Sequence, residues 1–323
     1  MLYFDNAATS APIPQAFDFA CKYIESFYNP SALYSKGIEV SSFISEARAF
    51  LASSFCAPGY ECIFTSGGTE ADNTAVFYAK RGNAVITSGE HSAVYEPFRA
   101  LGARGVETRY AKLSADGSVN VADLLSLIDD KTSFVSVVHV NNETGAVNDV
   151  NAIAEQVKKI NHKTVFHSDG VQAFGKIPFR LSRFVDAYSV SAHKIGGLKG
   201  TGALFKSGTL ALHPLIYGGG QENGLRSGTE NVFGIAAFYR AATERLHSVK
   251  DNYERVKRVK NAFVSVLDRE NIEIVSGENA SPYIVCLTAP GLKGEVLQHM
   301  LEEQGVIVGT GRRARRGIAT AEY

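Results

Sequence analysis

Between about residue 60 and residue 206 the chain alternates short apolar runs with helix-like stretches, and this alternation narrows the possible folds more than any other feature. The strand-like runs cover residues 62–65, 84–87, 134–140, 164–167, 187–191 and 202–205. Between them, residues 70–80, 95–101, 121–128 and 150–160 have helical composition. Strands separated by helices predict an α/β protein with a mostly parallel sheet covered by helices. In such folds ligands bind outside the carboxyl ends of the strands. Polar clusters fall at those ends: Ser66-Gly-Gly-Thr69, Glu90-His91, Asn141-Asn142-Glu143, Asp169-Gly-Val-Gln172 and His193-Lys194.

After Val232 the pattern changes to one long charged helix, from residue 235 to about 267, followed by shorter elements at 272–275, 283–287 and 294–304. We read two domains: a large one over 15–240, and a small α+β one formed by 1–14 and 241–323. The 33 basic and 33 acidic residues leave no net field, so neither nucleic acid nor a membrane surface is an expected partner. Met1-Leu-Tyr-Phe-Asp5 lacks the basic start of a signal peptide, and a cytoplasmic location is the expectation. Cys21, Cys56, Cys62 and Cys286 form neither a C-x-x-C pair nor a disulfide framework. The eight histidines show no metal-ligand spacing, so no metal is expected.

Lys194 ends the run Asp186-Ala-Tyr-Ser-Val-Ser-Ala-His193-Lys194 and enters a glycine-rich turn. A lysine kept partly dry at a strand end can lose its proton and attack an aldehyde cofactor, whereas an ordinary loop lysine is simply solvated. Thr65-Ser66-Gly67-Gly68-Thr69-Glu70 runs from a strand into a helix, where free N–H groups and the helix dipole suit a phosphate. The same residues also read as plain helix capping. Asp169 at a strand end can hold a pyridine nitrogen protonated, or cap a turn. His91 can stack on an aromatic cofactor and move protons near neutral pH, or be solvated.

Eight segments then fall in one order and spacing. They are Tyr3-Phe-Asp-Asn-Ala-Ala-Thr9, Tyr28-Asn29-Pro30-Ser31, Thr65 to Asn73, Glu90-His91, His139-Val-Asn-Asn-Glu-Thr-Gly145, His167-Ser-Asp-Gly-Val-Gln172, Ser191-Ala-His-Lys194 and Gly218 to Thr229. Together they resemble cysteine desulfurases of the NifS/IscS type, which are class V, fold-type I enzymes that use pyridoxal 5′-phosphate. The resemblance implies a mostly parallel seven-stranded sheet and a homodimer. It makes Lys194 the residue that binds the cofactor's aldehyde, with His91 stacked on the ring and Asp169 at its nitrogen. Asn142 and Gln172 match groups near the ring oxygen; Gly68, Thr69, Ser191 and His193 match the phosphate cup. Thr229 matches a threonine that reaches a phosphate across the dimer interface, and Asn29 and Arg226 fall near the substrate pocket. The implied substrate is L-cysteine or a related amino acid. A sulfur-acceptor or iron–sulfur scaffold protein is the implied partner.

One departure narrows this reading. The family carries a nucleophilic cysteine in a Gly-Ser-Ala-Cys loop. At the matching place this chain reads Val308-Gly309-Thr310-Gly311-Arg312-Arg313-Ala314, so Ala314 stands at the cysteine position. The expectation is a frameshifted or shortened relative that binds its cofactor but transfers sulfur poorly. A thiol-independent cysteine or selenocysteine lyase and a non-catalytic scaffold are the alternatives.

Overall fold

The computed structural model describes residues 1–79 and 81–311. Its first half holds β1 (Leu2–Tyr3), α1 (Pro14–Cys21), α2 (Ser35–Phe55), β2 (Tyr60–Thr65), α3 (Gly68–Val76), β3 (Asn83–Thr87), α4 (Ser92–Ala103), β4 (Glu107–Ala111), α5 (Val121–Ser126) and β5 (Thr132–Ser136). There follow α6 (Val150–Ile160), β6 (Val165–Asp169), β7 (Ala187–Ser191), β8 (Gly202–Ser207), α7 (Val232–His247), α8 (Val249–Ser265), β9 (Glu273–Ile274), β10 (Leu287–Thr288), α9 (Gly294–Glu303) and β11 (Val306–Ile307). Lys80 and the segment containing Ala314 lie outside the described residues.

Strands β2 to β8 form a seven-stranded sheet in the order β2-β8-β7-β6-β5-β3-β4. Neighbours from β4 through β7 run parallel, and β8 runs antiparallel to both β7 and β2. The sheet has the mostly parallel, seven-stranded form that the family resemblance implied. Every residue of β3, β6 and β7 is buried, because helices cover both faces. Side chains divide between the faces with a period of two. Val85, Val135, Tyr188 and Val190 join the core built with α1, α2, α6 and α7. Ala84, Ile86, Phe134 and Ala187 join the opposite core with α3 and α4. Each large side chain buried this way contributes about 1.5–3 kcal/mol relative to exposure.

The long helix expected over 235–267 is broken at Ser248, which has φ −108° and ψ 15° and separates α7 from α8. The strand-like run at 134–140 forms a strand only to Ser136, with one further bridge between Val140 and Val147. The run at 283–287 contributes only its end to β10. At the ends of the described chain, β1 pairs in parallel with β11, Leu2 opposite Val306, while β9 and β10 pair antiparallel. Among the described residues no helix is long and apolar enough to cross a membrane.

Candidate active site

The carboxyl ends of β6 and β7 lie side by side and carry the two residues on which the site depends. After β7, a single 3₁₀ turn over Ala192–Lys194 carries the lysine off the sheet. Lys194 Nζ donates to the backbone oxygens of Ala7 at 2.6 Å and Ala8 at 2.8 Å. Burial lowers its pKa from the usual lysine value, opposed by the negative charges of Asp169 and Asp5. Asp169 closes β6 at 4% exposure and accepts from Val171 N at 2.9 Å. Burial raises its pKa, and the nearby His91 and Lys194 pull it back down.

His91 is the N-cap of α4, with Nδ1 accepting from Ala93 N at 3.1 Å. Ligand atoms of Asp72, His91 and Asp169 all lie within 4.8 Å of one another. Asp72 was not singled out from the sequence, although it sits within a quoted motif. It is 1% exposed, and its Oδ1 has no hydrogen-bond partner. Burial first, then the neighbouring Asp169, push its pKa well up, against a bond with Ser189. Two carboxyls so close and so dry hold a proton between them more readily than two charges. Behind them His167, fully buried, is fixed by Ser136 Oγ at 2.8 Å and Ser189 Oγ at 2.9 Å. Burial lowers its pKa to about 3, so its imidazole is neutral at neutral pH.

The turn from β2 into α3 is shaped by two glycines. Gly67 takes φ +156° with ψ 179°, a region open essentially to glycine alone. A Cβ on Gly68 would meet Val171 Cγ2 at 2.8 Å, so the backbone comes close to the Asp169 turn. Ser66 N is taken by Glu70 Oε2 at 2.8 Å, while exposed Thr69 lies in the first turn of α3. Buried Ser191 faces this turn, its Cβ 3.5 Å from the same built position. His193 Nδ1 lies 3.1 Å from Thr9 Oγ1. Burial, with Lys194, Lys199 and Lys176 adding, lowers the His193 pKa to about 4.

Gln172 is 4% exposed and donates from Nε2 to Ala7 O at 2.8 Å. Asn141 Oδ1 accepts from Glu143 N and Thr144 N, both at 2.9 Å, and so builds the turn that carries half-buried Asn142.

The two candidate substrate residues have different surroundings. Asn29 and Thr229 line one cleft of about 380 Å³ together with Tyr28 and Glu230. Arg226 is instead paired with Glu70, Nε to Oε1 at 3.0 Å. That bond leads the effects that hold the Glu70 carboxyl below its usual range against burial. A second tie between the same loop and β2 runs through Glu222, also missed from the sequence. Its carboxylate accepts from Phe64 N at 3.0 Å and from Arg48 Nη2 at 2.9 Å. Glu222 and Asn223 both take positive φ, at 51° and 57°, a conformation costing about 1–2 kcal/mol per residue.

A parallel-sheet protein with a half-dry lysine, a buried acid and a glycine-shaped helix start at adjoining strand ends has the features of a fold-type I pyridoxal-phosphate enzyme. The comparisons agree. The profile of the family described as aminotransferase class-V matches residues 2–320, and the chain belongs to that family. A NifS/IcsS protein homolog of Lactobacillus delbrueckii subsp. bulgaricus is 36% identical over 96% of this chain and 83% of its own length. Cysteine desulfurase IscS of Dictyoglomus turgidum is 34% identical over 96% of this chain and 81% of its own. A solved NifS-like protein superposes with a TM-score of 0.91 at 33% identity, covering 97% of this chain and 88% of that one. Within class V this is the cysteine desulfurase branch, whose members depend on pyridoxal 5′-phosphate.

Proposed function

We propose that this chain binds pyridoxal 5′-phosphate over the carboxyl ends of β6 and β7 and begins the removal of sulfur from L-cysteine without efficiently completing it. The observation that carries the reading is Lys194, half-buried with a lowered pKa beside the acid Asp169. The donor set fits the cofactor. Asp169, a buried acid whose charge His91 and Lys194 favour, suits a protonated ring nitrogen. The glycine-shaped start of α3 suits a phosphate, and the lysine suits an aldehyde.

Bound there, the cofactor supplies an electron-withdrawing ring that weakens bonds at an amino acid's α-carbon. The protein's own share is positioning and proton control. Lys194 Nζ is the group that gives and takes a proton, and its lowered pKa keeps more of it as free amine. Asp169 holds a proton at the ring nitrogen, with Asp72 neutral behind it. His91 covers the ring; Gln172 and Asn142 serve the ring oxygen. Gly68, Thr69, Ser191 and His193 serve the phosphate, joined by Thr229 from the second subunit of a homodimer. Asn29 sits at the substrate cleft. Arg226, on the substrate side by the same reading, is held in place by Glu70.

Ala314 at the family's cysteine position supports impaired sulfur transfer. The same reading includes a cytoplasmic enzyme, a sulfur-acceptor protein as partner, and domains at 15–240 and at 1–14 with 241–323. The pairing of β1 with β11 supports that division.

Mixing apoprotein with pyridoxal 5′-phosphate is expected to produce a visible absorbance band that Lys194→Ala abolishes. With L-cysteine the wild type is expected to release alanine and sulfide slowly. Rapid catalytic release would overturn the impairment. A protein that forms no band yet captures sulfur-acceptor proteins would favour a scaffold. Clean turnover of cystine or selenocysteine would favour a lyase.

A further inference from the structure

Lys176 is a buried cation for which the mechanism above has no use. It lies at 8% exposure in the turn after β6. Among the described residues no carboxylate comes within ion-pair distance of its ammonium. Its Nζ donates to Gln172 Oε1 at 2.7 Å. Burial, with the charges of Lys194 and Arg245 adding, lowers its pKa to about 7. A cation without a counterion in such a place costs free energy, and an apolar side chain of the same length would fill the space without that cost.

The bond to Gln172 gives the lysine a purpose. A side-chain amide has one accepting and one donating end, and either could face the site. In its charged form Lys176 has donors only, so it holds Oε1 toward itself and turns Nε2 outward. Nε2 accordingly donates to Ala7 O, the carbonyl that also receives Lys194 Nζ. Lys176, Gln172, Ala7 and Lys194 thus form one continuous hydrogen-bonded chain that ends at the reactive amine.

We propose that Lys176 is a positioning residue that holds the Gln172 amide with its N–H donors facing the cofactor site beside Lys194. The proposal rests on the cofactor reading above and deepens it. Lys176 does not touch the cofactor; it acts through the orientation of one amide.

The test is a double-mutant cycle on pyridoxal 5′-phosphate affinity, measured by titrating apoprotein and following the visible band. Thermal unfolding of each apoprotein serves as the folding control. Lys176→Met is expected to weaken binding about tenfold, the scale of one hydrogen bond to a charged group. Lys176→Arg, which still donates, is expected to recover most of that loss. Gln172→Ala is expected to weaken binding by a similar factor, and the Lys176→Met/Gln172→Ala double variant no further than Gln172→Ala alone. Lys176→Gln replaces Lys176→Met in the cycle should the latter not fold. Binding by Lys176→Met equal to wild type, or losses that multiply in the double variant, would overturn the proposal. A wild type that forms no band at all overturns the cofactor reading as well, so the two failures are told apart.

Discussion

Glu90 stands at 8% exposure behind the strand ends, its Oε1 accepting from Thr87 Oγ1 at 2.7 Å and Val138 N at 2.8 Å. Burial pushes its pKa up to about 8, above the ordinary value of 4.5. Between those two values the folded protein binds more protons than the unfolded chain, so this carboxyl's contribution to stability falls as pH rises. Buried His139 and His167 act with the opposite sign. Their lowered pKa values, about 4 and 3, take stability away as pH falls below the ordinary histidine range. Glu90→Gln keeps an accepting oxygen and removes the ionisation, while the histidine effects cancel in the comparison. Its apoprotein should gain on the wild type by at least about 1.4 kcal/mol, one pKa unit, between pH 5 and pH 8. Denaturant unfolding at both pH values reads the difference, and a gap that does not change with pH refutes it. At this scale the sequence revealed Lys194 and Asp169 because each ends an apolar run. Asp72, Lys176 and Glu222 were hidden because nothing local distinguishes a buried charge from a solvated one. Only the packing of distant elements makes them dry.

The turn that follows β6 shows how closely one element constrains the next. A Cβ on Gly170 would fall 1.9 Å from Tyr188 Cζ on β7, inside a ring that is fully buried. Tyr188 cannot retreat, because its hydroxyl bonds His139 Nδ1 at 2.8 Å and its ring packs against Phe55 and Phe179. Gly170→Ala should therefore cost about 3 kcal/mol or more and displace Asp169. A melting temperature within a degree or two of wild type would contradict this. The strands of the buried sheet centre were readable as apolar runs. β4 was not, because Glu107 and Arg109 give this edge strand the polar look that edges use against stray pairing. The break at Ser248 was equally hidden, since it interrupts charged helix on both sides without glycine or proline.

Over the whole molecule, large apolar side chains remain exposed at several places, and one group gathers between residues 24 and 38. Phe27 is 81% exposed, Leu33 92% and Tyr34 53%, with Tyr217 at 79% on the loop preceding Thr229. Exposed apolar surface of this kind marks an association face. It supports the proposed homodimer, in which Thr229 and Asn29 would work at the shared boundary. Leu33→Asp is expected to move sedimentation from dimer to monomer and to weaken cofactor binding at least tenfold. A variant that stays dimeric, or a wild type that sediments as a monomer, would count against this face. The resemblance implied the dimer from Thr229, but the sequence alone could not show which apolar residues stay outside the core.

The turn that covers Lys194 is held on one side by the site itself, through Gln172 to Ala7 O and Ser10 N to His193 O, and on the other by a short strand pair. The turn at Ala7 and Ala8 follows β1, which is held by only two residue pairs to β11. So short a ladder is marginal in water and belongs to the parts of a protein that open first. Leu2 also has no strand partner until Val306 has been synthesised. A growing chain therefore completes this strand pair only after the whole sheet that carries Lys194 has been made.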